Sequence, residues 1–228
     1  MRFILKNNPS EFIKNFIELQ NKIPVHPTYA DLRSDNGGKT IKEVQTQLYN
    51  EQNGLCCYCN KYLDKDFHVE HFLPQSKFKY DEVEYSNIFL SCNSPFTCGK
   101  VKENNLISKY ITHPDCKSFF KYNHLGEILP ECQFMTLDMV IINWSSLNTK
   151  VKDLFLFIET LKLNHTSLTE IRKSIYKVNY PEEIIRLNSD RAAINLQIIE
   201  LEKNQNLRND VLAFWLKNYL KKNASINN

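Results

Sequence analysis

Two cysteine pairs constrain this chain more than any other feature. Cys56 and Cys59 form a C-x2-C pair, and Cys92 and Cys98 form a second, looser pair with five residues between them. Two thiolates on one tight turn are already positioned for a shared ion, and two such turns brought together make a closed tetrahedral site for Zn2+. Three readings of the set stand side by side: a structural metal site, a redox pair, and reduced buried cysteines acting as small apolar groups. The spacing favours metal. A thioredoxin-like redox motif needs a strand before it and a helix after it, whereas here a helical pattern precedes the first pair and a polar turn follows. The chain has seven cysteines, the others being Cys57, Cys116 and Cys132, and the odd count argues against a disulfide framework. A closed four-sulfur site has no open position for chemistry, so catalytic groups must lie elsewhere.

The sequence around the pairs divides into three segments. Residues 1–55 read as an N-terminal helical segment. "PSEFIKNFIELQNK" has apolar residues at 12, 13, 16, 17 and 19, and "TIKEVQTQLYNEQNG" pairs Thr40 with Glu43 as a capping box and ends on Gly54. Between them "RSDNGGKT" reads as a polar loop. Residues 56–104 form a small module in which "FHVEHFL" alternates like a strand and "GKVKENN" starts a short helix. His68 and Glu70 then share one face of that strand, and Val69 and His71 the other. Residues 105–228 are mainly helical. "FFKYNHLGEILP" predicts two short strands around a turn at Asn123 to Gly126, helical periodicity dominates from about residue 150, and Ser167 with Glu170 forms a second capping-box pattern. The last residues, "KKNASINN", are expected to fray. The fold class is α+β, mainly α.

The 228 residues are enough for one large domain or two small ones, and 14 Phe and 11 Tyr supply a sizeable core. A net charge of +3 neither demands nor excludes a nucleic-acid partner. The start "MRFILKNNPSEF" lacks the apolar run and cleavage site of a signal peptide, and no stretch approaches the roughly 20 apolar residues of a membrane span. The expectation is a cytoplasmic protein with no membrane partner.

The residues between the cysteine pairs resemble a known family. Cys56-x2-Cys59, Glu70-His71, Pro74, Asn87-Ile88, Cys92, Cys98 and Lys102 are similar to the frame of an HNH (ββα-metal) endonuclease, a zinc-stapled treble clef. The start "MRFILKNNP", the lead-in "LYNEQNGLCCYC", "YNHLGEILP" and "LKLNHTSL" followed by Arg172 resemble one subfamily, the retron- and Septu-associated PtuB nucleases, which act in anti-phage defence with an ATPase partner, PtuA. The resemblance implies a treble-clef ββα-metal module embedded in helical flanks and a metal-dependent nuclease. It implies structural zinc on Cys56, Cys59, Cys92 and Cys98. His71 matches the general base, Glu70 the acidic residue that helps hold a catalytic Mg2+ or Mn2+, and Asn87 the residue that fixes the loop so that the histidine points inward. The family's third metal-binding position falls on Gly99, which has no side chain, so Asn93 is the expected substitute ligand, ahead of Glu103, Asn104 and His68.

The residue types suit that chemistry. A neutral histidine can deprotonate water near pH 7, and a hard divalent ion on carboxylate and amide oxygens offsets phosphorane charge. Lys100 and Lys102 are candidate phosphate contacts. DNA is the default substrate, RNA fits the same site, and the helical flank after residue 105 is the expected docking region for the partner, with a homo-oligomer within the complex allowed. The competing reading is a zinc-stapled nucleic-acid- or protein-binding module without catalysis. His26, His113, His124 and His165 match no frame. Phe214, Trp215 and Tyr219 sit at helical spacing and read as core or partner surface rather than a base-stacking platform.

Overall fold

Helix α3 (Lys39–Glu51) shows how this chain ends a helix and starts the cysteine turn. Val44 and Leu48 lie on its buried face. At its end Asn53 and Gly54 both take the left-handed conformation, Asn53 N–H donates to the Asn50 carbonyl (3.1 Å), and Gly54 N–H donates to the Tyr49 carbonyl (2.8 Å). These are the two bonds of a Schellman motif. The chain then runs directly into Leu55 and Cys56, which are fully buried.

The computed structural model describes residues 3–20 and 26–224. The chain falls into two compact units, residues 3–114 and residues from 115 onward. The helical segment and the cysteine module therefore share one unit. That unit holds α1 (Glu11–Gln20), α2 (Tyr29–Ser34), α3, a two-stranded antiparallel sheet of β1 (Phe67–His71) and β2 (Ile88–Cys92), and the single-turn α4 (Gly99–Lys102). Ile13 and Phe16 of α1 are buried as the periodicity predicts, while the side chains of Phe12 and Leu19 lie outside the described ones. The strand register runs from Phe67 opposite Cys92 to His71 opposite Ile88. Gln52 ties α3 to β2. Its side-chain amide donates to the Leu90 carbonyl (2.9 Å) and accepts from the Leu90 N–H (2.8 Å), pairing with the strand as a backbone would.

The second unit carries the expected hairpin, β3 (Phe120–Tyr122) and β4 (Ile128–Pro130). Its turn requires Gly126: φ is +82°, and a Cβ there would stand 2.1 Å from the Thr169 carbonyl oxygen. Six helices complete this unit, α5 (Leu137–Ile142), α6 (Thr149–Thr160), α7 (Thr166–Ser174), α8 (Tyr180–Arg186), α9 (Arg191–Lys203) and α10 (Leu207–Ala224). Lys221–Ala224, expected to fray, continue α10, and residues 225–228 lie outside the described ones. Arg172 is buried and its guanidinium donates to the Leu163 carbonyl, while Asn164 pairs with both the N–H and the carbonyl of Ile128. The "LKLN" to Arg172 stretch thus clamps β4. No described helix is long and apolar enough to cross a membrane.

Neither expected capping box forms. Thr40 bonds Asp35 instead, and α3 starts from Gly38 without a side-chain cap. At α7 the cap is His165, whose Nδ1 accepts from Ser167 N–H (3.2 Å), while Glu170 pairs with Lys173. A capping box does occur at Thr28 and Asp31, opening α2, which takes in Arg33 and Ser34 of the stretch read as loop.

A buried ion pair joins the N-terminal residues to this unit. Lys6 Nζ lies 3.3 Å from Glu51 and 3.7 Å from the centre of the Tyr85 ring. Burial pushes its pKa from 10.5 down to about 8, although Glu51 pulls the other way. Between those values the unfolded chain holds a proton that the native state has released, so stability should rise as pH climbs from 8 to 10.5. Lys6→Met alone should cost about 3–5 kcal/mol at pH 7 by leaving Glu51 buried without its counter-charge. Lys6→Met with Glu51→Gln should be near neutral or stabilising. Urea melts of the wild type and the two variants at pH 7 and pH 9.5 measure both effects, and an equal loss in single and double variants would refute the account.

Candidate functional site

The two cysteine turns converge. The Sγ atoms of Cys56, Cys59, Cys92 and Cys98 all lie within 4.8 Å of one another, and none is in a disulfide. Cys59 and Cys92 sulfurs are 4.0 Å apart, and sulfurs at 2.3 Å from a tetrahedral ion would be separated by about 3.8 Å. The Cys92 N–H and the Ser91 hydroxyl point at Cys56 Sγ, at 3.4 and 3.7 Å. These four cysteines could hold a metal ion such as zinc. Cys98 takes φ +64°, a conformation costly for a residue with a Cβ and held here by its surroundings. Cys57 is buried between the first pair, with its N–H on the Leu90 carbonyl, and takes no part in the cluster.

Alternation along β1 aims His68 and Glu70 to one side, where they meet Gly99 and Lys102. Glu70 is 6% exposed. Its Oε1 accepts from Tyr58 hydroxyl (3.0 Å) and pairs with Lys102 Nζ (2.9 Å), and its Oε2 lies 3.3 Å from His68 Nε2. Burial pushes its carboxyl pKa up, but His68, Lys102 and Tyr58 together outweigh that and hold it below the ordinary value. Lys102 is only 1% exposed, with its amine also on the His71 carbonyl (2.9 Å). This corrects the expectation that Lys102 meets a phosphate: in this arrangement it is the counter-charge of Glu70. Lys100 is exposed.

Asn93 does not join Glu70 as a ligand pair. Its amide NH2 donates to Asp66 (2.6 Å), a carboxylate that can only accept, so its oxygen faces His68 Nδ1 at 2.7 Å. His68 Nδ1 is therefore the donor, and His68 stands between Asn93 and Glu70. Gly99 gains a physical reason as well. A Cβ there would lie 2.4 Å from Glu70 Oε2 and 2.7 Å from His68 Nε2. Gly99→Ala should accordingly destabilise the protein by about 1–3 kcal/mol, as overpacking does. An ordinary helical Gly→Ala change instead stabilises by about 0.5–1 kcal/mol. Thermal denaturation decides the sign, and a stabilised variant would refute the close packing.

His71, 9% exposed, faces the other way. Its Nε2 lies 2.8 Å from the Glu82 carbonyl oxygen. A carbonyl only accepts, so Nε2 carries the hydrogen and Nδ1 keeps its lone pair in the neutral ring. No described residue bonds Nδ1. The edge of Tyr29 on α2 packs against the ring, centroids 4.6 Å apart. Burial lowers the His71 pKa below 6.5, so the ring is neutral at pH 7. Asn87, 3% exposed, is bonded on both sides to the 72–81 loop: its oxygen accepts from Leu73 N–H (2.6 Å), and its NH2 donates to the carbonyls of Leu73 (3.1 Å) and Asp81 (2.9 Å). It holds the loop that leads to Glu82, and Glu82 in turn sets the His71 ring. Glu82 acts through its main chain and Tyr29 from a distant helix, so no spacing rule points to either.

No protein-family model matches the chain, and no curated protein matches it either.

Proposed function

We propose that this chain is a metal-dependent HNH endonuclease that hydrolyses phosphodiester bonds of nucleic acid, built on a zinc-stapled ββα-metal module. The observation that carries the reading is the tautomer of His71: Nε2 is held by the Glu82 carbonyl and Nδ1 is left with a lone pair on a buried, neutral ring. That is what a general base for water needs near pH 7. Zn2+ on Cys56, Cys59, Cys92 and Cys98 would fasten both cysteine turns to the Phe67–Cys92 end of the β1–β2 pair, whose other end carries His71. Asn87 serves as the positioning residue of the same loop.

The ion expected on Glu70 and Asn93 fits Glu70 and His68 better. Glu70 Oε2 and His68 Nε2 lie 3.3 Å apart, and two neighbouring ligands of an octahedral Mg2+ lie about 3 Å apart. Asn93 becomes the residue that fixes the His68 ring from behind through Nδ1. Mg2+ or Mn2+ bound there would offset the charge that develops on the phosphate. To hold the ion, His68 Nε2 would have to turn its lone pair to it in place of its contact with Glu70 Oε2, while Nδ1 stays on Asn93. Lys100, exposed beside this face, is the remaining candidate phosphate contact.

Within this reading the chain works as the effector nuclease of an anti-phage system with a PtuA-like ATPase. Ile185, Leu196 and Ile199 are exposed apolar residues of the second unit where such a partner could seat. A deletion that tests docking should start at residue 115, because a cut near 145 would fall inside a compact unit. The deciding experiment is cleavage of DNA and RNA pools in Mg2+ and Mn2+, with the partner present, by wild type and His71→Ala. One observation favours a second reading, a binding module without catalysis: Glu70 already has a cation, Lys102, on it. Retained nucleic-acid binding with no cleavage in any metal would select that reading.

A further inference from the structure

The second unit contains a cavity of ≈800 Å3 that no part of the proposed nuclease chemistry uses, within the range of about 300–1,000 Å3 typical of small-molecule sites. Its wall is aromatic. Tyr176 and Tyr180 lie parallel (12°) with centroids 5.9 Å apart, and Trp215 of α10 lies 4.3 Å from Tyr176 and 6.1 Å from Tyr180. Phe214 and Tyr219 line the same space. Phe214, Trp215 and Tyr219, which read as core or partner surface, are half-buried around this cavity.

The local backbone explains the wall. Between α7 and α8 the helix widens into a π turn at Ile175–Asn179, with Tyr180 N–H donating to the Ile175 carbonyl. Pro181 follows and can offer no N–H to the carbonyl four residues before it, so the wider turn absorbs the break. Such turns occur often at functional sites, and this one carries Tyr176 and leads directly to Tyr180. Three lysines of α10, Lys217, Lys221 and Lys222, line the cavity. Glu202 pairs with Lys217 (2.8 Å), and Lys117 sits 3.7 Å from both Glu202 and Asp210. On the aromatic wall the Trp215 indole N–H is buried with no hydrogen-bond partner among the described residues, and an indole nitrogen only donates.

We propose that this cavity binds a nucleobase-bearing phosphate, with the base stacked on the Trp215–Tyr176–Tyr180 wall, an acceptor atom on the Trp215 N–H, and the phosphate at the α10 lysines. A purely apolar ligand would leave the Trp215 N–H unsatisfied, and phosphate alone would leave the aromatic wall bare. A free nucleotide and the end of a single strand share this chemistry. The inference stands apart from the nuclease reading, because none of its residues belongs to the His71 site.

The chain has two tryptophans, so Trp144→Phe leaves Trp215 as the only indole, read by excitation at the red edge where tyrosine does not absorb. This protein is titrated with AMP, ATP, ten-residue DNA and RNA oligonucleotides, and inorganic phosphate. Saturable quenching by base-bearing ligands and none by phosphate is expected. Tyr180→Ala should weaken binding roughly tenfold or more, as loss of one stacking partner does. Lys221→Ser with Lys222→Ser, both exposed and so safe for folding, should weaken it and flatten its salt dependence. His71→Ala should bind as wild type, which separates this site from the cleavage site. Tighter binding of oligonucleotides identifies a strand end as the source, and equal binding of mononucleotides identifies a free nucleotide. Absence of saturable quenching by every ligand, or unchanged affinity in the lysine double variant, overturns the proposal.

Discussion

Replacing His71 with alanine should slow nucleic-acid cleavage by about 10²–10⁴-fold, the usual worth of a positioned general base. The ring is set by one bond from Nε2 to the Glu82 carbonyl and one edge contact with Tyr29. Losing that bond and contact should cost only about 1–2 kcal/mol of stability, so the variant should fold and keep one metal ion per chain on its cysteines. The two readouts separate a catalytic loss from a structural one. The pH dependence carries a second signature. Burial lowers the His71 pKa from its ordinary value, so the acid limb of the wild-type rate should lie at lower pH than for a free imidazole. The same shift acts on stability: below pH 6.5 the unfolded chain takes up the proton first, so the contribution of His71 falls as pH falls. Full activity in His71→Ala would end the nuclease assignment to this site.

Much of this arrangement is legible in local sequence, and what is not has a common cause. The cysteine pairs, the alternation that sets His68 and Glu70 against His71, the hairpin at Asn123 to Gly126 and the helices after residue 150 all depend on near neighbours, and the structure has them where the spacing predicts. The errors concern partners supplied from elsewhere. Lys102 reads as a candidate phosphate contact on a short helix, yet β1 supplies the Glu70 carboxylate and the His71 carbonyl that bury it. Gly99 reads as a missing ligand, yet the space above it is filled by Glu70 and His68. Thr40 and Ser167 have capping-box spacing, but Asp35 takes the Thr40 hydroxyl and His165 takes the cap of α7. The periodicity of α10 shows that Phe214, Trp215 and Tyr219 recur at helical intervals. It carries no information about Tyr176 and Tyr180, whose π turn makes a wall with them.

If Zn2+ occupies the four cysteines as proposed, removing it should unfold the first unit outright. The ligands come from two turns separated by the whole of β1 and its loop, and their sulfurs crowd within 4.8 Å. Structural Zn2+ contributes about 10–16 kcal/mol of apparent binding energy at pH 7, whereas a whole domain is stable by about 5–15 kcal/mol. The unit therefore cannot remain folded once that energy is withdrawn. Cys59→Ser, or a strong chelator on the wild type, should abolish the helical signal of α1 to α3 and all cleavage together. Both tryptophans, Trp144 and Trp215, lie in the second unit, so indole fluorescence should change little while far-ultraviolet circular dichroism falls. Cys57→Ser, at a buried cysteine outside the cluster, should keep its metal and lose only the few kcal/mol of a buried polar substitution. Metal analysis of the purified chain gives the count. One zinc in wild type and Cys57→Ser, and none in Cys59→Ser, is the expected pattern; a folded, zinc-free Cys59→Ser protein would show that packing alone holds the two turns together.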